Sequence, residues 1–269
     1  MILLSGRPFR KEHHEKLSAL SKTIRPRFLF VNPQKDEDAL AYVRQIQKIL
    51  LSLGLDFEEE EVKPGEEEKS LARLREMART HQVVLARPLG KREKEFLSLL
   101  DPMHDPDMMT TTNIGHLFQG ELHFLPATCK SVEEILRKYS LPVLGKKVLI
   151  VGRSLTIGLP LLELFQRLDA MPTLVHSKID PERIAKECSS SDIVCLCSGV
   201  EGLIPRPSFR PCQVVLDCGF HAQGGDLGFL PQEGELFAYT PVPGGIGSLT
   251  PYFVVENGFF HECRLLKSK

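Results

Sequence analysis

The chain has 269 residues, enough for one large or two modest domains, and its 42% hydrophobic and 26% charged content is ordinary for a globular protein. A formal net charge of −1 without a polybasic tract excludes nucleic acid as an implied partner. No run reaches the ~20 apolar residues of a membrane span, and the apolar start Met1–Leu4 is too short for a signal peptide. The seven cysteines are scattered, and Cys195 and Cys197 stand too close for a zinc or redox pair, so reduced thiols, a cytoplasmic setting and no metal are expected.

In chain order, Arg27–Asn32 reads as a strand and leads into an amphipathic helix. Ala39, Tyr42, Val43, Ile46, Ile49, Leu50 and Leu53 recur at helical spacing, with acidic residues Asp36–Asp38 in the first turn and Gly54 as the stop. On that helix Ile46 lies about 40° from Tyr42, while Lys48 lies about 200° from Ile46 and points to solvent. By pattern alone Tyr42 is a core tyrosine with a bonded hydroxyl. Asp56–Val62 is a second strand, Pro64–Thr80 a helix acidic at its start and basic later, and Gln82–Leu89 a third strand. This alternation implies parallel β-α-β units. Asp101–Leu117, rich in Met and Thr, reads as a long irregular segment of functional interest.

Ser131–Leu141 reads as a helix opened by a Ser131/Glu134 capping box. Beyond it the pattern changes: Lys146–Gly152, Asp192–Gly199 and Gln213–Gly219 read as buried strands, and Thr173–Ser177 as a further strand between the first two. A helix follows from about Leu159, and another over Asp180–Glu187 has Asp180 as N-cap and a proline at its first position. The pattern is that of a doubly wound dinucleotide-binding sheet.

The turn Val151–Gly158, "VGRSLTIG", carries two glycines six residues apart between a buried strand and a helix, where phosphate meets backbone N–H groups. The next strand ends in His176, Ser177 and Lys178, with no carboxylate until Asp180. An acidic residue there would hold the NAD ribose; cations and a hydroxyl suit the 2′-phosphate of NADP, and Arg153 can reach the same place.

The loop Thr240–Thr250, "TPVPGGIGSLT", is too dense in Pro and Gly for helix or strand and reads as a rigid loop at the sheet's C-terminal edge. It resembles the "TPVPGGVGPMT" signature of the methylenetetrahydrofolate dehydrogenase/cyclohydrolase (FolD) family. Further likenesses follow in the same order as in the family over nearly the whole chain. "GKKVLIVGRSLTIGLP" is similar to "GKxxVVIGRSxIVGxP", and "VVLDCGF" to "VVIDVGI". "ARPL" is similar to "QLPLP", "DPDMMTTTNIGHL" to "DVDGFHPxNxGxL", and "LPATCKSV" stands in place of "xPCTPxGI".

The resemblance implies two α/β domains around a cleft, the second a Rossmann-type doubly wound NADP-binding domain. The expected division is 1–128 plus 250–269 for folate and catalysis, and 129–249 for NADP. It implies a homodimer acting on tetrahydrofolate derivatives. Family members oxidise 5,10-methylenetetrahydrofolate with NADP and then hydrolyse the methenyl product to 10-formyltetrahydrofolate. Carried over by motif, Gly152, Arg153, Ser154, His176, Ser177, Gly199 and Phe220 are cofactor-binding, Phe220 replacing an isoleucine. Asp107 matches the aspartate that holds the pterin amide and amino group, and Tyr42 the tyrosine of "YVxxK", which makes it a pterin neighbour. Pro243, Gly245 and Gly247 join Tyr42 and Asp107 as substrate contacts.

The departures are as specific as the matches. The lysine of "YVxxK" is Ile46, the glutamine of "QLPL" is Ala86, and the glycine after the pterin aspartate is Met108. The last proline of the signature loop is Ser248, and the cysteine of "PCTP" is Ala127. Hydride loss needs alignment of a carbon already flanked by nitrogen lone pairs. Hydrolysis needs a proton-moving group, which neither Ile46 nor Ala86 supplies. The expectation is an NADP-dependent dehydrogenase with an impaired or absent cyclohydrolase. The alternatives are a non-catalytic folate- or NADP-binding relative and another two-domain NADP dehydrogenase, of the shikimate-dehydrogenase type.

Overall fold

A computed structural model of the chain describes residues 1–33, 37–87, 89–220 and 224–267. The strands in chain order are β1 (Ile2–Leu3), β2 (Phe28–Pro33), β3 (Phe57–Val62), β4 (Gln82–Leu85), β5 (Lys147–Val151), β6 (Met171–Val175), β7 (Ile193–Leu196), β8 (Val214–Asp217) and β9 (Ala238–Tyr239). The helices are α1 (Arg10–Leu20), α2 (Glu37–Ser52), α3 (Glu67–Met77), α4 (Glu93–Ser98), α5 (Thr111–Phe118), α6 (Ala127–Lys138), α7 (Gly158–Arg167), α8 (Pro181–Ser190) and α9 (Thr250–Lys267). Two compact units form, one from Arg10–His116 with Pro251–Lys269, the other from Met1–Phe9 with Leu117–Thr250.

The smaller unit, 10–116 with 251–269, is built on a parallel sheet of order β3-β2-β4. Leu29, Val31, Val83 and Leu85 project from it onto Leu71, Leu74 and Phe96 of α3 and α4, forming one buried cluster. The polar faces of β3 and α3 exchange charge, with Arg73 bonding Glu58 at 2.7 Å. The end of the chain belongs to this unit: Lys16 reaches Glu256 at 2.6 Å, and the buried Asn257 amide donates to the Pro106 carbonyl at 2.8 Å.

The larger unit carries a six-stranded sheet of order β1-β9-β8-β7-β5-β6, and every pairing in it is parallel. β5 lies between β6 and β7, so the strand order reverses around β5 and its C-terminal end is the topological switch point where such sheets bind ligands. Leu149, Val151, Val194, Leu196 and Val215 are buried on one side against Ile184 and Cys188 of α8. Asp180 caps α8 as its Asp-Pro start requires, accepting from the backbone N–H groups of Glu182 and Arg183 at 2.8 and 3.4 Å.

Some local expectations are corrected. The strand expected over Gln82–Leu89 ends at Leu85, where the chain leaves the sheet. The capping box at Ser131 does not form, because α6 starts four residues earlier behind Pro126. Ser131 is instead buried inside the helix, and its hydroxyl donates to the Ala127 carbonyl at 2.9 Å. The segment expected to be irregular, Asp101–Leu117, holds a 3-10 turn at Pro102–His104 and most of α5. Three threonines in a row weaken the helical signal there. The capping interaction, Thr110 Oγ1 accepting from the Asn113 N–H at 3.3 Å, is legible only in three dimensions. Of the acidic residues expected in the first turn of α2, Asp36 lies outside the described residues, as does Pro88 of the "ARPL" motif.

Candidate functional site

In the smaller unit, α2 carries Tyr42 and the turn before α5 carries Asp107. The Tyr42 hydroxyl donates to Asp107 Oδ1 at 3.2 Å, which gives the tyrosine the bonded hydroxyl that the helical pattern alone foresaw. Burial pushes the Tyr42 hydroxyl well above its usual range, with the Asp107 charge adding to it. Burial, and then the neighbouring Asp105 carboxylate, raise Asp107 to about 7; Arg87 and the tyrosine hydroxyl pull the other way. Asp105, not foreseen from the sequence, is fully buried and accepts from the Thr110 N–H at 2.7 Å and the Asn113 amide at 3.0 Å. It ties the turn that presents Asp107. Met108 follows in a left-handed conformation, φ 57°, with its side chain buried. Glycine adopts that conformation without strain, and methionine does not.

Ile46 is 0% exposed and Ala86 is 2% exposed. Both belong to the apolar interior, one turn along α2 from Tyr42 and one residue beyond β4. Lys48 is exposed on the opposite face of α2.

In the larger unit, the turn after β5 is made tight by two glycines. Gly152 has φ 135°, and a Cβ on it would run into the Cys197 carbonyl; a Cβ on Gly158 would run into the Gly152 carbonyl. Ser154 Oγ accepts from the N–H groups of Ile157 and Gly158 at 3.2 and 3.3 Å, closing the turn onto the start of α7. Arg153 points across to the end of β6, where its Nη1 lies 3.3 Å from His176 Nε2. The Lys178 N–H donates to His176 Nδ1 at 3.2 Å, which leaves the imidazole proton on Nε2. Arg153 and His176 thus meet at an exposed point at the end of β6, where a guanidinium suits an oxyanion. A backbone cradle that excludes side chains, with cations at the ribose end, fits NADP.

Gly199 and Phe220 each lie three residues beyond the ends of β7 and β8. Gly199 sits at φ 68° and Phe220 is 53% exposed. Two aspartates the sequence did not single out hold these ends. Asp226 Oδ2 accepts from the Ser198 N–H (2.6 Å), the Ser198 hydroxyl (2.9 Å) and the Gly199 N–H (2.9 Å). Asp217 accepts from the N–H groups of Gly219, Asp226 and Leu227 at 2.8, 3.0 and 2.9 Å, and burial raises it to about 6. A carboxylate in a Gly-Gly-Asp turn is the local trace of this in the sequence, and it resembles any other turn. The loop 240–250 is anchored from below: the Asp217 N–H donates to Thr240 Oγ1 at 2.7 Å, and the Gly6 N–H donates to the Gly244 carbonyl at 2.9 Å. Within it Gly245 is buried, while Pro243 and Gly247 are exposed.

The sequence model of the tetrahydrofolate dehydrogenase/cyclohydrolase NAD(P)-binding domain matches residues 126–264. The "Bifunctional protein FolD" of Dictyoglomus thermophilum is 32% identical over 95% of both chains. The chain belongs to the tetrahydrofolate dehydrogenase/cyclohydrolase family. Another FolD relative, from Fervidobacterium nodosum, is 32% identical over 90% of each chain. The solved structure of the Trypanosoma brucei methylenetetrahydrofolate dehydrogenase-cyclohydrolase, in complex with NADP cofactor and inhibitor, superimposes with a TM-score of 0.86 at 27% identity, covering 99% of both chains. Family membership thus rests on the whole chain, the smaller unit included. Among the described residues, no helix is long and apolar enough to cross a membrane.

Proposed function

We propose that this family member is an NADP-dependent 5,10-methylenetetrahydrofolate dehydrogenase of one-carbon metabolism whose hydrolytic half is lost. The observation that carries the loss is Ile46, a fully buried isoleucine one turn from Tyr42, where the family motif has lysine. A positioned acid–base group contributes roughly 10²–10⁴-fold to a rate. With Ile46 and Ala86 both apolar and interior, no side chain at either position moves a proton.

The residues of the oxidative half remain. In this reading Asp107, as the carboxylate, takes two N–H donors from the pterin edge, and Tyr42 orients it through their hydrogen bond. NADP, when bound, supplies the hydride acceptor. Gly152 and Gly158 keep the turn bare so that a pyrophosphate can approach, with Ser154 bracing it, and Arg153, His176 and Ser177 take the 2′-phosphate. Gly199 and Phe220 line the nicotinamide end, and Pro243, Gly245 and Gly247 contact substrate. The division of labour follows: folate and catalysis to the smaller unit, NADP to the larger. The reading includes a cytoplasmic setting and a homodimer, the latter tested by sedimentation of the purified protein.

The deciding experiment is a paired assay on one preparation, following NADPH formation from methylenetetrahydrofolate and the decay of methenyltetrahydrofolate. NADPH should form while methenyl product accumulates. Hydrolysis at the rate of a complete family site would overturn the loss. The departures at Met108, Ala86 and Ser248 favour a second reading, a non-catalytic binding relative. Measurable ligand binding with no NADP reduction would select it.

A further inference from the structure

One amide of the smaller unit is buried without a use in the fold. Asn32, the last residue but one of β2, is 3% exposed, and among the described residues nothing donates to its Oδ1. A buried acceptor left unpaired costs the fold its desolvation, so the group calls for a partner that the chain itself does not supply.

Register fixes where it stands. Val31 pairs with Leu85, and the Ala86 N–H donates to the Val31 carbonyl at 3.0 Å, so the next pair along the ladder is Asn32 beside Ala86. On its other side Asn32 pairs with Glu61 of β3. Register partners present their side chains to one face of a sheet, and neighbours along a strand alternate. Leu29, Val31, Val83 and Leu85 take the face of α3, where Ser70 and Arg73 of that helix bond Glu60 and Glu58. Phe30, Asn32, Val84 and Ala86 therefore take the opposite face, together with Glu59, to which Gln47 of α2 donates. That is the face under α2, the helix of Tyr42 and Ile46. Asn32 thus lies at the C-terminal edge of the sheet, on the side of the tyrosine bonded to Asp107. Its neighbour there is Ala86, where the family motif has glutamine.

We propose that Asn32 is a folate-binding residue: its carboxamide oxygen takes an N–H of the reduced pterin, and supplies from β2 the hydrogen-bonding amide that β4 lacks at Ala86. The proposal rests on the folate reading given above and adds one contact to it. A carboxamide accepts and donates hydrogen bonds but carries no proton to exchange near neutral pH. An amide at position 32 therefore serves substrate binding and leaves hydrolysis unserved, which is the division of activities proposed for the whole site. The orphaned oxygen is the stability cost of keeping that contact ready in the ligand-free protein.

The test compares wild type, Asn32→Ala and the near-isosteric Asn32→Leu by calorimetric titration with tetrahydrofolate and by urea unfolding without ligand. Both variants should bind tetrahydrofolate roughly threefold to tenfold more weakly, as for the loss of one neutral hydrogen bond. In NADP reduction the KM for methylenetetrahydrofolate should rise by a similar factor, with kcat changing less. Ligand-free Asn32→Leu should unfold at the same or a higher urea concentration than wild type, because it removes an unpaired polar group and keeps the shape. NADP binding, measured on the same samples, reports that the variants are folded. Unchanged tetrahydrofolate affinity in a folded variant would overturn the role of Asn32. So would an Asn32→Leu protein that unfolds at distinctly lower urea, since the amide would then be serving the fold. Wild type that binds tetrahydrofolate but reduces no NADP would instead overturn the dehydrogenase reading, and the titration would still decide for or against Asn32.

Discussion

Asp217 and Asp226 are joined in series: the Asp226 N–H donates to Asp217 Oδ1 at 3.0 Å, and the Asp226 carboxylate grips the backbone and hydroxyl of Ser198. Two strand ends, β7 and β8, are thereby held at one spacing. Truncating Asp226 to alanine leaves the Ser198 and Gly199 N–H groups without their acceptor, a loss of about 2–4 kcal/mol. The expected result is a lower Tm together with a raised KM for NADP, measured by thermal unfolding and initial rates. Asn, which keeps one acceptor, should lie between.

Asp107 is predicted to weaken the fold that presents it. Its carboxyl is raised from 3.8 to about 7, so ionisation is disfavoured in the folded state. Stability from this group is complete below about pH 4 and is lost as pH climbs through about 7. Asp107→Asn keeps an acceptor for Tyr42 and removes the penalty. Urea unfolding at neutral pH should show the variant more stable, by up to about 4 kcal/mol, while NADP reduction collapses. The advantage should vanish in acid.

Ile46→Lys combined with Ala86→Gln should raise methenyltetrahydrofolate hydrolysis while NADPH formation changes less. The burial of Ile46 adds a second expectation: the new ammonium enters an apolar interior, and the single Ile46→Lys variant should lose about 3–5 kcal/mol by denaturant unfolding. A double variant of wild-type stability with no hydrolysis would count against these positions as the missing machinery.

Cofactor choice should reside in Arg153 and His176. Arg153→Ala removes the guanidinium that lies 3.3 Å from His176 and that the proposed function assigns to the 2′-phosphate. The KM for NADP should rise about tenfold or more, as expected for a charge-assisted phosphate contact, with NAD kinetics little altered. Equal losses with both cofactors would place Arg153 elsewhere.

Gly152→Ala tests the cradle without touching charge. Its Cβ would meet backbone, the Cys197 carbonyl, in a conformation that L side chains rarely adopt. Calorimetric titration should show NADP binding lost or severely weakened, while tetrahydrofolate binding persists.

Much of this was set by sequence, wherever the physics is local. Helical spacing placed Tyr42, Ile46 and Lys48 on their faces of α2, and apolar runs marked β5, β7 and β8, because burial on both sides of a parallel sheet leaves a continuous apolar string. The Asp180-Pro181 start of α8 and the bare Gly152 turn are backbone requirements, which residue type alone satisfies. Local signals failed where two of them competed. Ser131 could cap a helix, but Pro126 starts it earlier; the threonines at 110–112 read as coil, but Asn113 and Asp105 secure a helix there.

What the tertiary structure decided are the meetings of residues distant in the chain. Tyr42 and Asp107 are 65 residues apart, and Ser198 and Asp226 are 28 apart. No periodicity encodes such pairs, because each partner is chosen by the packing of whole elements. Depth was decided in the same way: the spacing showed that Ile46 shares a face with Tyr42, and only the packed helix shows that one of them is sealed in the core while the other reaches a carboxylate. Burial also raises Asp107, since a carboxyl changes its proton affinity only when the surrounding chain has taken its water away.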